Sequence, residues 1–179
     1  AHLYSKTTKD LELHHSFDAT EQFLIDTATS CEAYALDFSE KINNSEGAQL
    51  NCSESLFTYA NSNGFVGGFP SSRYSLSCSV LGGTGSSMQR DSSYSSTRAF
   101  DDLKSTQEVG QDAASRTLMR LNPKKIDTGT YPVIFEAPVA TSIISSLISA
   151  VSGGNLYREN SFLMNSINTA CGNGAACEL

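Results

Sequence analysis

Residues 131–163, YPVIFEAPVATSIISSLISAVSGGNLYRENSFL, decide how the chain is read. Pro132-Val-Ile-Phe135 is a short apolar run opened by a proline, which predicts a buried strand. Pro138 suits the first turn of a helix, where a missing N–H costs nothing. Val139, Ile143, Ile144, Leu147, Ile148 and Val151 then recur at helical spacing, which predicts a helix from about Pro138 to Ser152 with those residues buried. Gly153-Gly154 predicts its stop in left-handed backbone. The opposite face carries Ser142, Ser145, Ser146 and Ser149, and no acid, base or metal ligand.

Upstream, two further helices are expected. One spans about Thr20 to Phe38, capped by Asp18 or Thr20, with an apolar stripe of Phe23, Leu24, Ala28, Cys31, Tyr34, Ala35 and Phe38. The other spans about Ser105 to Leu121, where Ser105 and Glu108 fit a capping box and Pro123 ends the run. Between them, residues 42–100 are rich in Ser, Tyr and Phe and punctuated by glycine and asparagine. Ala48–Cys52, Ser55–Ala60, Phe65–Phe69, Tyr74–Leu81 and Met88–Thr97 read as short strands. Asn63-Gly64 and the Gly82–Gly85 segment are their turns. The predicted class is α+β: an antiparallel meander with flanking helices, then the first strand–helix unit of a second domain. The expected division is residues 1–126 and 127–179, with an atypical tail at 167–179.

Composition excludes several functions. A net charge of -7 argues against a nucleic-acid surface, which needs cations to displace counterions. Arg116, Arg120, Lys124 and Lys125 form one basic cluster, read first as the solvated end of a helix, where cations suit the dipole. An acidic patch of a partner or a phosphate is the alternative ligand for it. No apolar run is long enough to span a bilayer. Cys31, Cys52, Cys78, Cys171 and Cys177 fit no zinc spacing and predict reduced thiols in a cytoplasmic protein. His2, His14 and His15 are read as ordinary surface histidines. The glycines lack the strand–loop–helix context of a phosphate cradle.

Several words of the sequence, taken in order, resemble the PmbA/TldD family, and most closely its PmbA (TldE) branch. They are NSEG at 44–47, NSNGF at 61–65, SSRYSLSCSV at 71–80, MQRD at 88–91, RTLMRLNPKKI at 116–126, PVIF at 132–135, VAT at 139–141 and SGGNLYRENSFL at 152–163. The resemblance covers roughly residues 11–166, and the chain is expected to be an internal piece of a longer family member. It implies a metallopeptidase system. In the TldD branch the equivalent helix carries H-E-x-x-x-H, whose histidines bind zinc and whose glutamate activates water. Those three places fall at Ser145, Ser146 and Ala150, and residues 127–179 contain no histidine.

The resemblance therefore implies a subunit without a zinc site or cofactor of its own. It would pair, as a heterodimer or larger assembly, with a zinc-bearing TldD-like partner acting on peptides or unfolded proteins. Two alternatives stay open: an independent metallopeptidase with its site further along the protein, and a non-enzymatic regulatory protein, such as the modulator of DNA gyrase of the family's older description. For substrate or partner contact, Arg158 could hold a carboxylate bidentately, and Asn44 and Glu46 could position a loop. An internal ion pair for Arg158 and a simple turn at 44–47 are the plainer readings.

Overall fold

The structure, a computed structural model, describes residues 9–164. The chain divides into two compact units, Ala1–Lys125 and Ile126–Leu179.

In the first unit, helix α1 (Glu21–Leu36) starts where Thr20 Oγ1 accepts the Phe23 N–H at 3.2 Å. Three strands follow, β1 (Ile42–Ala60), β2 (Val66–Gly82) and β3 (Gln89–Thr97), forming an antiparallel sheet in the order β1-β2-β3. Helix α2 (Thr106–Arg120) begins at the expected capping box: Ser105 Oγ accepts from Glu108 N at 3.2 Å, and Glu108 Oε2 accepts from Ser105 N at 2.9 Å. This is the α+β arrangement the sequence predicts.

The helices lie on one face of the sheet, and the core is the seam between the layers. Leu76, Cys78 and Val80 point from alternate positions of β2 into Cys31 and Ala35 of α1 and Val109, Ala113 and Ala114 of α2. Alternation is what a half-buried strand requires. Of the stripe expected on α1, only Cys31 and Ala35 are fully buried, while Phe23, Tyr34 and Phe38 remain exposed. Thr117 of α2 ties the layers together. Its hydroxyl donates within hydrogen-bond range of both the Ala113 and Val80 carbonyls and accepts the Asp91 N–H at 3.1 Å.

Strands expected to be separate are continuous. Ala48–Cys52 and Ser55–Ala60 both belong to β1, and Phe65–Phe69 and Tyr74–Leu81 fall largely within β2. The reason lies in the register. β3 ends opposite Tyr74 (Tyr74↔Thr97), so Ser53–Ala60 and Val66–Arg73 run on as a two-stranded arm. Pairing there uses backbone, and neither face needs a continuous apolar row, so Ser53, Glu54 and Ser71 break no strand. Pro70 is tolerated because β3 does not reach it. At the tip, the expected turn is present: Gly64 has φ +83°, and Asn61 Oδ1 accepts from the N–H groups of Asn63 and Phe65.

Residues 9–20 cross the root of this arm as an irregular strap. Phe17 stacks on Phe100 at a centroid distance of 3.7 Å, edge-on to Tyr74. Ser72, which is buried, holds the strap. Its N–H donates to Leu13 O at 3.0 Å, and its Oγ accepts the His15 N–H at 2.9 Å while donating to Arg98 O at 2.7 Å. Ser72→Ala leaves the His15 N–H and the Arg98 carbonyl without that partner. It is expected to cost about 1–3 kcal/mol and to speed chymotryptic cleavage of the strap at Leu13 and Phe17. Unchanged denaturation and cleavage would show the knot to be ornamental.

The second unit departs from expectation in three respects. Pro132–Phe135 joins no strand; no pairing edge is supplied to it among the described residues, and all four residues are exposed. Helix α3 (Ala137–Val151) has the predicted bounds, with Pro138 in its first turn. Its apolar face is not buried: Ile143, Ile144, Leu147 and Ile148 all face outward, Ile144 being 60% exposed. Gly153-Gly154 is not a left-handed stop. Ser152 is extended, and the two glycines open a short helix, α4 (Gly153–Tyr157). Among the described residues of this unit, Ala150 and Leu163 are buried.

Candidate functional site

The segment after α4 folds back on the C-terminal half of α3. Ser161 Oγ donates to Ala150 O at 2.7 Å, and Asn155 Nδ2 donates to Ser149 O at 2.8 Å and to Ser149 Oγ at 3.2 Å. A cavity of about 450 Å³ lies in this corner. Ser145, Ser146, Ser149, Ala150, Asn155 and Asn160 contribute to its wall. The three positions singled out from the sequence, Ser145, Ser146 and Ala150, are thus gathered at one place. Ser146 Oγ is engaged locally, donating to Ser142 O at 2.8 Å.

The polar side chains of this wall offer hydroxyls and carboxamides, beside the Ala150 methyl and the Phe162 ring, with no imidazole, thiolate or carboxylate. Such donors do not fit a catalytic zinc, which takes His, Cys and carboxylate ligands with a base close by. Among the described residues, no group of three His, Cys, Asp or Glu side chains is placed to hold a metal ion.

The remaining candidates are engaged within the fold. Arg158 Nε donates to Gly154 O at 3.0 Å, one turn back along its own backbone. Asn44 Oδ1 accepts from Ser45 N at 2.8 Å beside a β-bulge in which Gly47 takes φ +106°. Glu46 bridges the sheet, with Oε1 accepting from Arg90 Nη1 at 2.6 Å and Oε2 from Ser79 Oγ at 2.9 Å. The Arg90 guanidinium, aided by Ser79, holds the Glu46 carboxyl below its ordinary range.

The strongest charge constellation was not singled out from the sequence. Asp91 of β3 lies between two arginines of α2, with Arg120 Nε at 2.5 Å and Arg116 Nε at 3.6 Å. Burial works to raise the Asp91 pKa, but the Ser92 N–H and the two guanidinium groups outweigh it, and the carboxyl titrates below its ordinary value. Half of the basic cluster is therefore spent on an internal carboxylate. A signal was available: Arg116 and Arg120 stand one helical turn apart and so share a face. Glu54 is depressed as well, first through its contact with His14 Nε2 at 2.9 Å. A carboxylate held low contributes stability above its unfolded pKa and loses it as pH falls through the folded one. Stability is therefore expected to decline below about pH 4, and Asp91→Asn to flatten that decline while lowering stability at neutral pH. Parallel pH titrations of the two proteins would sink this reading.

Comparison with known proteins agrees with this architecture. Residues 14–121 match the PmbA/TldA metallopeptidase central domain, and residues 128–175 match the C-terminal domain of the same family. The chain belongs to the PmbA/TldD metallopeptidase family. The second match reaches into the tail, further than the resemblance at 11–166 extends.

The chain is 44% identical over 155 residues to a metalloprotease PmbA homolog of Haemophilus influenzae, covering 87% of this chain and 34% of the relative. It is 38% identical over 158 residues to metalloprotease PmbA of Escherichia coli O157:H7, covering 88% and 35%. It spans about a third of the length of these curated relatives. Among solved structures, a protein of Bacteroides thetaiotaomicron described as a modulator of DNA gyrase superposes with a TM-score of 0.84 at 30% identity, covering 93% of this chain and 38% of that one. TldE from Thermococcus kodakarensis shares the fold, with a TM-score of 0.64 at 17% identity, covering 92% and 37%.

Proposed function

We propose that this chain is part of a PmbA (TldE)-like subunit of a cytoplasmic zinc metalloprotease complex acting on peptides or unfolded proteins. The observation that carries the reading is the wall at Ser145, Ser146 and Ala150, where hydroxyls and a methyl stand at the places that the resemblance assigns to two histidines and a glutamate. The names of the relatives support metalloprotease kinship. The donor set of this chain supports a partner as the source of the metal site.

In this reading the chain contributes shape and hydrogen bonding. The hydroxyls and carboxamides of the α3–α4 corner suit neutral groups such as peptide amides, and the zinc-activated water belongs to a TldD-like subunit. No nucleic acid takes part, consistent with the acidic composition. No described helix is long and apolar enough to cross a membrane.

The test uses the full-length protein, purified alone and then mixed with its TldD-like counterpart. Alone, it is expected to hold no stoichiometric zinc and to leave an unfolded peptide intact. With the counterpart, chelator-sensitive cleavage is expected to rise by several orders of magnitude, since zinc supplies both a Lewis acid and the nucleophile. Stoichiometric zinc and chelator-sensitive cleavage without a partner would overturn this reading and favour an independent peptidase.

A further inference from the structure

The arm of the first unit has two outer edges, and only one of them is guarded. Beside the turn, Asn61 N donates to Phe65 O at 3.0 Å; at the root, Ser72 N donates away from β1, to Leu13 O at 3.0 Å. Alternation along a strand then fixes the backbone groups between. Residues 55, 57 and 59 bond β1 to β2, while Glu54, Leu56, Thr58 and Ala60 turn their N–H and C=O groups to the open side of β1. On β2 the corresponding edge is blocked: the strap takes Ser72, and Pro70 has no N–H to offer. From Ser55 to Ala60, β1 carries no proline, no lysine, no bulge and no neighbouring strand on its open side among the described residues. Proteins normally blunt an edge of that kind.

The open edge is apolar and free of charge. Leu56, Phe57 and Tyr59 are each at least half exposed. Phe57 packs beside Phe69 at a centroid distance of 5.4 Å, and Tyr59 beside Phe65 at 6.0 Å. Residues 55–72 include no Asp, Glu, Lys, Arg or His. Two copies of a chain with a net charge of -7 repel each other, and a charge-free arm adds nothing to that repulsion at the contact.

We propose that the open edge of β1 docks a second copy of this chain, the two β1 strands pairing antiparallel about a two-fold axis through Thr58. Such a contact is isologous, so the strand must complement itself. In this register Thr58 faces Thr58 of the second copy, Leu56 faces Ala60, and Phe57 faces Tyr59 on each side of the axis. The Phe57–Tyr59 pairs fall at non-hydrogen-bonded positions, where side chains approach most closely. An axis at Phe57 would set Tyr59 against Ser55, and an axis at Tyr59 would set Phe57 against Asn61. An axis at Glu54 would oppose two carboxylates. Only the axis at Thr58 gives both aromatic residues an aromatic partner. Pairing also joins two ribbons, each marginal as a two-stranded element, into one wider sheet. The contact lies within the first unit and does not depend on the peptidase reading; its test reads mass rather than cleavage.

The experiment is sedimentation equilibrium of the whole chain over a range of concentrations. The mass should climb from 19.2 kDa toward twice that value as concentration rises. Thr58 is exposed, so its replacement leaves the core untouched. Thr58→Lys and Thr58→Glu should each raise the dimer dissociation constant about tenfold or more, because the axis sets like charge against like. Both should keep the circular dichroism of the parent. An equimolar mixture of the two should dimerise again, since the axis then opposes unlike charges. A monomer at every concentration would overturn the proposal. So would a parent dimer that neither substitution weakens, which would place the contact elsewhere, or a mixture that associates no better than its components.

Discussion

Gly110→Ala is expected to destabilise the first unit by about 2–3 kcal/mol, the scale of overpacking a closed interior. In the middle of a helix the substitution should by itself help by up to about 1 kcal/mol. Here the added methyl would meet the Cys31 carbonyl oxygen at 2.4 Å, and the Ala35 nitrogen and Tyr34 Cβ at 3.1 Å. The first two are helix backbone and cannot swing aside, so α1 and α2 must part along the whole seam. A fall in Tm of roughly 10 °C follows from such a loss in a unit of this size. Gly153→Ala is the control: nothing lies within 4 Å of its Cβ, and its φ is not positive. It should leave stability within about 1 kcal/mol of the parent. Equal melting of parent and Gly110→Ala would show that the helices are not in this close contact.

Leu76→Ala is expected to cost about 2–5 kcal/mol, from lost burial plus the cavity left behind. Leu76 lies at the centre of the sheet's inner face and is 2% exposed. Ile144→Ala, on the apolar stripe of α3, should change the stability of this chain by less than about 0.5 kcal/mol, because its side chain already faces water. Chemical denaturation of both variants checks the pair. A loss at Ile144 as large as that at Leu76 would mean that α3 has a covered face in solution.

That contrast marks what the sequence could and could not tell. Local signals were read well, because caps and turns act within a few residues. Thr20 opens α1, Ser105 with Glu108 opens α2, and Asn63-Gly64 turns the hairpin. Periodicity was less secure. The spacing of Ile143, Ile144, Leu147 and Ile148 correctly gave a helix but could not supply the surface it would be buried against. Pro132–Phe135 carries strand-like composition without a strand to pair with among the described residues. In the arm, the polar residues at 53–54 and the Pro70–Arg73 stretch read as breaks in a half-buried strand, but a two-stranded projection needs no continuous apolar row.

At the candidate site, Ser145, Ser146 and Ala150, which stand where the resemblance implies two histidines and a glutamate, are legible in the order of the letters. The clamp of Asp91 by Arg116 and Arg120 is not, since it joins a strand to a helix across intervening turns. The placement of Asn155 beside the serines likewise depends on the turn from α3 into α4, and that of Asn160 on the chain reversal after α4.

The long β1–β2 hairpin also sets an order of events in folding. Its register runs without interruption from Ala60↔Val66 beside the turn to Ala48↔Cys78 deep in the sheet, and past the bulge to Ile42↔Gly82. Each pair formed from the tip brings the next within a few residues of closure, so the ribbon can zip with little loop entropy left to overcome at each step. β3 and α2 can then dock on a template that already exists, and α1, which precedes the hairpin in the chain, returns to the same face. Substitutions at Asn61 or Gly64 should therefore act mainly on the folding rate. Changes where α1 meets α2, which close last, should show themselves in the rate of unfolding.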